Sequence, residues 1–403
     1  MKLNPWTVAL VGAGIVSLPS TGKAEEKMSM LQTALASTTL SGYVDTSAHW
    51  NPGTGNANLP VYTANGAPAG SKADGFNLNV VALTFSHPAG EEAWSAGYNV
   101  EILLGPDAVG YNNSVLGTAS DLSLKDAYVD LHAPIGNGLS VKIGNFTEIL
   151  GYEVFESGSN PNFTRSYGYE IEPTQMTGVL VTYPICPALT VSGAIANTWS
   201  AGLNARAFPA KPESYKTYSG ALTFTAPTNM SFFSGSTLSG GAISGFDAIN
   251  GVSKDNYYVG GTFNTPVTGL KAGFAFDYLN IHGLSGETWS LGGYLGYQAT
   301  EKLAFYARGE YLRDRGAQKV FATVVGGTPV PLVPDKVLEL TGTVQYDLWK
   351  NVMTRLEVRW DHSLSGQGVW GGTVPNATAF SDESPISTEK NAVVLIANVI
   401  YKF

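Results

Sequence analysis

The chain has 403 residues, of which 23 are basic and 32 acidic, with 47 glycines and 11% aromatics. Its charged fraction of 14% lies well below the roughly 25% of ordinary globular proteins, and its mean hydropathy is near zero. That combination excludes a disordered chain and a helical membrane protein, and suits a β protein whose two faces meet different solvents.

The first 24 residues read as a signal peptide: Lys2 is the positive n-region, residues 8–18 the apolar stretch, and Gly22-Lys23-Ala24 a small-x-small cleavage site. The apolar run is too short to span a membrane as an anchor. Loss of Lys2 and Lys23 leaves 21 basic against 32 acidic residues, a net charge of −11, which argues against a nucleic-acid partner. Residues 25–38 follow as an N-terminal periplasmic segment. Within it Met28, Leu31, Ala34 and Leu35 fall at helical spacing and predict a short helix, periplasmic or lying in a lumen. The single cysteine, Cys186, sits in a Pro-Ile-Cys-Pro turn with no histidine near in sequence. It forms no internal disulfide and reads as an inert turn residue.

From residue 39 to 403 the chain reads as an all-β transmembrane antiparallel barrel. Segments of about ten residues recur, the length a tilted membrane strand needs. In order they are 39–51, 76–87, 94–104, 124–133, 139–146, 175–183, 189–199, 215–226, 230–243, 257–265, 270–282, 288–300, 303–313, 337–349, 353–364 and 391–403. These make about 16 strands, and the stretch 230–243 is the weakest because it has little alternation. Short turns at 88–91, 134–138, 186 and 300–302 alternate with long interruptions at 52–75, 147–174, 317–334 and 365–389. One-sided long loops are the asymmetry of outer-membrane barrels. No internal repeat supports a propeller.

The strand faces agree. Residues 354–361, TRLEVRWD, put Arg355, Glu357, Arg359 and Asp361 on one side and Leu356, Val358 and Trp360 on the other. Glu339, Thr341, Thr343, Gln345 and Asp347 alternate in the same way with Leu338, Leu340, Val344 and Tyr346. Lipid outside and water inside accounts for this, since closure also pairs every backbone group. Arg308, Glu310 and Lys142 join the Arg355-to-Asp361 row as expected pore-lining residues. The last strand carries Val393, Leu395, Ala397, Val399, Tyr401 and Phe403 on one face, but Val394, Ile396 and Ile400 make its other face apolar too.

Residues 136–184, GNGLSVKIGNFTEILGYEVFESGSNPNFTRSYGYEIEPTQMTGVLVTYP, together with LSGYVDTSAHWN near the start, resemble the OmpL-like family of outer-membrane β-barrel porins. The resemblance implies a barrel pore in the bacterial outer membrane and does not fix a substrate. The C-terminal Phe403 looks like the signal read by the outer-membrane insertion machinery. Outer-membrane lipid and small hydrophilic solutes or ions are the further expected partners, and a homo-oligomer stays open.

Segment 147–174 follows the fifth strand and combines Glu148, Glu153, Glu156, Arg165, Glu170 and Glu172 with Tyr152, Phe155, Phe163, Tyr167 and Tyr169. It is too polar for lipid and too aromatic for an ordinary loop. Two readings are open: a constriction loop inside the barrel, its carboxylates facing Lys142, Arg355 or Arg359 across the lumen, or a surface loop packed on itself. Asp45, Ser47 and His49 share a face of the first strand, but an i to i+2 spacing of roughly 6.6 Å on a strand predicts no nucleophile–base hydrogen bond. The histidines show no metal-ligand spacing. No catalytic, metal or cofactor role is expected. A passive diffusion porin is the leading reading, and a plugged barrel serving as adhesin or structural protein the alternative.

Overall fold

The computed structural model describes residues 38–56, 58–61, 72–90, 92–111, 122–199, 202–207, 214–248, 251–325, 328–371 and 388–403. The expected signal peptide and the helix at 25–37 lie outside these residues. The strands are β1 (Thr39–Trp50), β2 (Gly75–His87), β3 (Ser95–Leu104), β4 (Leu122–Ala133), β5 (Leu139–Thr147), β6 (Gln175–Cys186), β7 (Leu189–Ala196), β8 (Thr217–Thr225) and β9 (Thr237–Phe246). They continue with β10 (Ser253–Asn264), β11 (Leu270–Ile281), β12 (Gly286–Gln298), β13 (Leu303–Gly316), β14 (Ala322–Val325), β15 (Thr328–Pro331), β16 (Lys336–Trp349), β17 (Val352–Ser363) and β18 (Asn391–Lys402).

Each barrel strand pairs antiparallel with its neighbours in sequence, and β1 meets β18 from Tyr43↔Lys402 to Trp50↔Leu395, so the sheet closes as a barrel of sixteen strands. Closure removes the free edges that an open sheet of this length would present to other chains. β14 and β15 stand apart as a small hairpin within the interruption before β16. That hairpin is absent from the sequence reading, because two four-residue segments carry no usable alternation.

The outer face is the apolar one. Leu356, Val358, Leu340, Leu295 and Ile195 all point away from the barrel and are 46–65% exposed. On β17 the opposite parity holds Arg355, Glu357, Arg359 and Asp361, each buried to 4% exposure or less. The two-faced last strand resolves in the same register. Val393, Leu395 and Ala397 face outward, while Val394 and Ile396 are buried inside against Phe163. An apolar patch inside a lumen requires an apolar cover, and segment 147–174 supplies it.

Candidate functional site: a loop across the lumen

Segment 147–174 leaves the end of β5 and returns to β6, and its base is closed by the Glu148 amide donating to the Thr174 carbonyl at 3.3 Å. Between those ends it reaches walls all around the ring. Leu150 packs in a cluster with Phe146, Leu180, Ala194 and Ile243, on the side where the loop begins. Tyr152 stacks on Tyr294 with ring centroids 4.1 Å apart and accepts a hydrogen bond from Thr262. The wall is thinned to receive these two side chains. A Cβ at Gly241 would come within 2.7 Å of Leu150, and one at Gly273 within 2.1 Å of the Tyr152 hydroxyl. This is why β9 shows so little alternation in sequence: its inward positions include a glycine where the loop seats.

The middle of the loop is held by charge. Glu153 forms an ion pair with Arg308 at 2.8 Å, and its other oxygen accepts from the Ser166 amide at 2.8 Å. Arg308 also pairs with Glu339 at 3.1 Å and donates to the Thr164 carbonyl at 2.7 Å. Glu357 accepts from the amides of Phe163 and Thr164 at 2.6 and 2.9 Å. Glu310 accepts from the amides of Tyr167 and Gly168 at 2.7 and 2.8 Å. These amides belong to a turn and to the start of a short helix, α1 (Tyr167–Ile171), where four backbone donors lack helical partners. A hydrogen bond to a charged group contributes about 1.5–3 kcal/mol, so the two carboxylates anchor the loop strongly to β13 and β17.

Arg355 donates to the Ser157 carbonyl at 2.9 Å and Arg359 to the Arg165 carbonyl at 2.7 Å. Tyr167 donates to Asp361 at 2.8 Å. Phe155 joins a separate cluster with Val80, Ala82 and Leu103 on β2 and β3. Glu156 meets Lys125 of β4 at 2.7 Å, and Lys125 also holds Glu101 and Asp126 at 3.0 Å each. Arg165 turns inward on its own loop and donates to the carbonyls of Val154, Phe155 and Phe163.

The expected pore-lining residues Arg308, Glu310, Arg355, Glu357, Arg359 and Asp361 thus face inward, but they do not line open water. The loop covers them. Likewise Glu153 and Arg165, expected at a constriction surface, are 3% and 5% exposed and serve to dock the loop. Arg355 and Arg359 bind loop carbonyls, so the expected field between them and the loop carboxylates is replaced by direct backbone capture. Glu170 is buried on α1, and Glu172 is buried against Asp277 of β11, with which it shares a hydrogen bond. Burial pushes the Glu172 carboxyl well above the usual carboxylate range, and Asp277 and Glu148 beside it push further. Burial also lifts Glu148, against the Leu150 amide that donates to it. Burial works against ionisation of Glu156, but Lys125 outweighs it and holds Glu156 below its ordinary value.

A polar cavity of about 310 Å³ remains between the start of the loop and β4–β6, lined by Asp126, Tyr128, Lys142, Thr147, Glu148 and the apolar Phe146, Ile149 and Leu180. Lys142 lies over the Tyr128 ring, 4.4 Å from its centroid. Of the expected site residues, Lys142 and Glu148 are the two brought together here. Asp126 and Lys125 are not singled out by the sequence, although two adjacent charges within a strand were the available signal. β4 bulges at Lys125, which lies unpaired between Asp126, opposite Glu101, and Leu124, opposite Ile102, and this lets both charges turn inward.

One geometric expectation is corrected. Ser47 and His49 do meet, Oγ to Nε2 at 2.8 Å, because both side chains lean along the strand. The pair is buried, with Ser47 donating to Asn79 and the His49 ring edge-on to Phe163 at 5.7 Å. It holds the first strand to the loop.

An apolar-out, polar-in closed barrel with a long loop laid across its lumen is the architecture of a porin. A family model described as "Putative beta-barrel porin-2, OmpL-like" matches residues 37–403, and the chain belongs to that family. Among solved structures it is similar to the outer-membrane channel DcaP of Acinetobacter baumannii, at 12% identity and a TM-score of 0.55, covering 91% of this chain and 97% of that one. OprB of Pseudomonas putida gives 11% identity and 0.55, over 96% of this chain and 99% of that one. The anion-selective porin from Comamonas acidovorans gives 14% and 0.54, over 91% and 99%. At such identities the likeness shows the fold. No curated protein matches the chain.

Proposed function

We propose that this barrel lies in the bacterial outer membrane and passes small hydrophilic solutes or ions by passive diffusion, with segment 147–174 as its constriction. The observation that carries the reading is the capture of the loop backbone by Glu310 and Glu357, two residues on the far wall from β5 and β6. A loop tied there narrows any passage that the barrel offers. The polar cavity beside Lys142 and Glu148 is where a solute route fits, since elsewhere the loop packs on the wall through the clusters around Tyr167 and Phe155 and through its buried ion pairs. Two of the similar structures are described as a channel and as an anion-selective porin, which supports a pore without fixing the sign of its preference.

The charges around the cavity favour cations weakly. Lys125 serves three carboxylates, and Lys142 faces the cavity with a single positive charge. Planar-bilayer recording tests the function directly. Steady open steps support the porin. The second reading, a plugged barrel that acts through its outer loops, draws on the same all-round contact of the loop and predicts electrical silence.

A further inference from the structure

The outer surface at the loop end of β12, β13 and β16 carries a feature that the channel does not use. On β13 the inward parity is Arg308, Glu310 and Leu312, so Arg313 and Arg315 share the outward parity of Phe305 and Tyr311, both on the lipid-facing side. One oxygen of Glu287 on β12 lies 2.6 Å from Arg313 Nε and 2.6 Å from Arg315 Nη2, holding both guanidinium groups in one place. Lys336 is the register partner of Arg313 on β16. One carboxylate among three cations leaves a local excess of positive charge, on a chain whose overall charge is −9.

What lies below this cluster is ordered by depth. Trp289 and Tyr311 meet with ring centroids 5.2 Å apart, and such aromatic pairs mark the headgroup level of a barrel. Next come Gly293 and Gly309, in register with each other, then Ala307 in register with Gly342. The three glycines and Ala307 leave this strip low, with the exposed Leu291 beside it and the exposed Leu340, register partner of Gly309, reaching over Gly309, where a Cβ would meet it at 3.3 Å. A cationic head site, an aromatic collar and a shallow apolar furrow follow one another down the same strands.

We infer that Arg313, Arg315 and Lys336 form a binding site for a phosphate-bearing, acylated lipid of the leaflet that surrounds the loop end of the barrel. Guanidinium groups match phosphate oxygens in pairs, and Glu287 preorganises two of them without neutralising the set. The furrow takes an acyl chain, which a free anion lacks. The inference rests on the reading of the barrel as membrane-embedded with its loop end outward, and not on conduction through it.

The test uses the full-length folded barrel in neutral detergent, titrated with bisphosphorylated lipid A as the probe and followed by native mass spectrometry. The expected result is a single saturable adduct that inorganic phosphate does not displace. Arg313→Gln with Arg315→Gln and Lys336→Gln should weaken it by about tenfold or more, the loss expected from removing charge-assisted contacts. Heat-modifiable migration in gels reports whether that variant is folded, and Lys336→Gln alone gives a smaller loss in the same direction should the triple variant fail to fold. Unchanged affinity in a folded variant overturns the site, as does displacement by inorganic phosphate at equal concentration. Bilayer recording on the same preparations separates the two readings: a silent barrel that still binds lipid refutes the porin and leaves the lipid site standing.

Discussion

Arg308 and Glu153 stand 155 residues apart in sequence and meet at 2.8 Å inside the barrel, with side-chain exposures of 0% and 1%. One belongs to the wall and the other to the loop. Neither charge is exposed, so each depends on the other and on Glu339, Ser166 and Thr164 for its partners.

Arg308→Gln should therefore undock the loop rather than alter the barrel. Breaking a buried pair from one side costs about 3–5 kcal/mol because it strands the remaining charge. The expected readout is new protease cutting within 153–166 and larger current fluctuations, with heat-modifiable migration unchanged. A loop as resistant as in the unmodified protein contradicts the anchoring role.

The buried carboxyl of Glu172 faces Asp277, Glu148, Glu153 and the Tyr258 hydroxyl, and burial holds it well above the usual range. For such a group the sign is fixed. Its contribution to docking is complete below the ordinary carboxylate value of about 4.3 and fades as pH rises through the elevated value. Current noise should grow toward alkaline pH, and Glu172→Gln should flatten that dependence. Noise that grows toward acid pH would falsify the assignment.

Selectivity should answer to Lys142 more than to Glu153. Lys142 lines the open cavity, whereas Glu153 is consumed by Arg308. Lys142→Gln is expected to shift the reversal potential in a salt gradient toward stronger cation preference. Glu153→Gln is expected to disturb loop stability first. A clear anion preference in the unmodified channel contradicts the charge reading.

From the alternation of loop lengths we expect the turns at 88–91, 135–137, 186 and 300–302 on the periplasmic side, and the segments 52–75, 317–334 and 365–389 outside. Protease added to intact cells should cut in 365–389 and spare 135–137. The reverse pattern inverts the topology.

The barrel was legible in the sequence because its physics is local: each strand must show lipid one face and the lumen another. The charged rows at Arg355–Asp361 and Glu339–Asp347 were legible as inward for the same reason. What covers them was not, since the capture of Phe163 and Thr164 by Glu357 spans 194 and 193 residues and leaves no periodicity. The apolar inner face of β18 was visible as an anomaly, and it is explained only once Phe163 lies against Val394 and Ile396. Ser47 and His49 show the limit of backbone spacing as a guide, because side chains that lean along a strand close a gap that the Cα positions leave open.

The central claim is that segment 147–174 narrows the lumen, and deleting 155–167 tests it most directly. The strands on either side remain intact, so the deletion variant should still fold and show heat-modifiable migration. Single-channel conductance in a planar bilayer should then rise above that of the unmodified protein, with weaker discrimination between ions. A folded deletion variant whose conductance equals that of the unmodified channel would show that the loop does not set the passage.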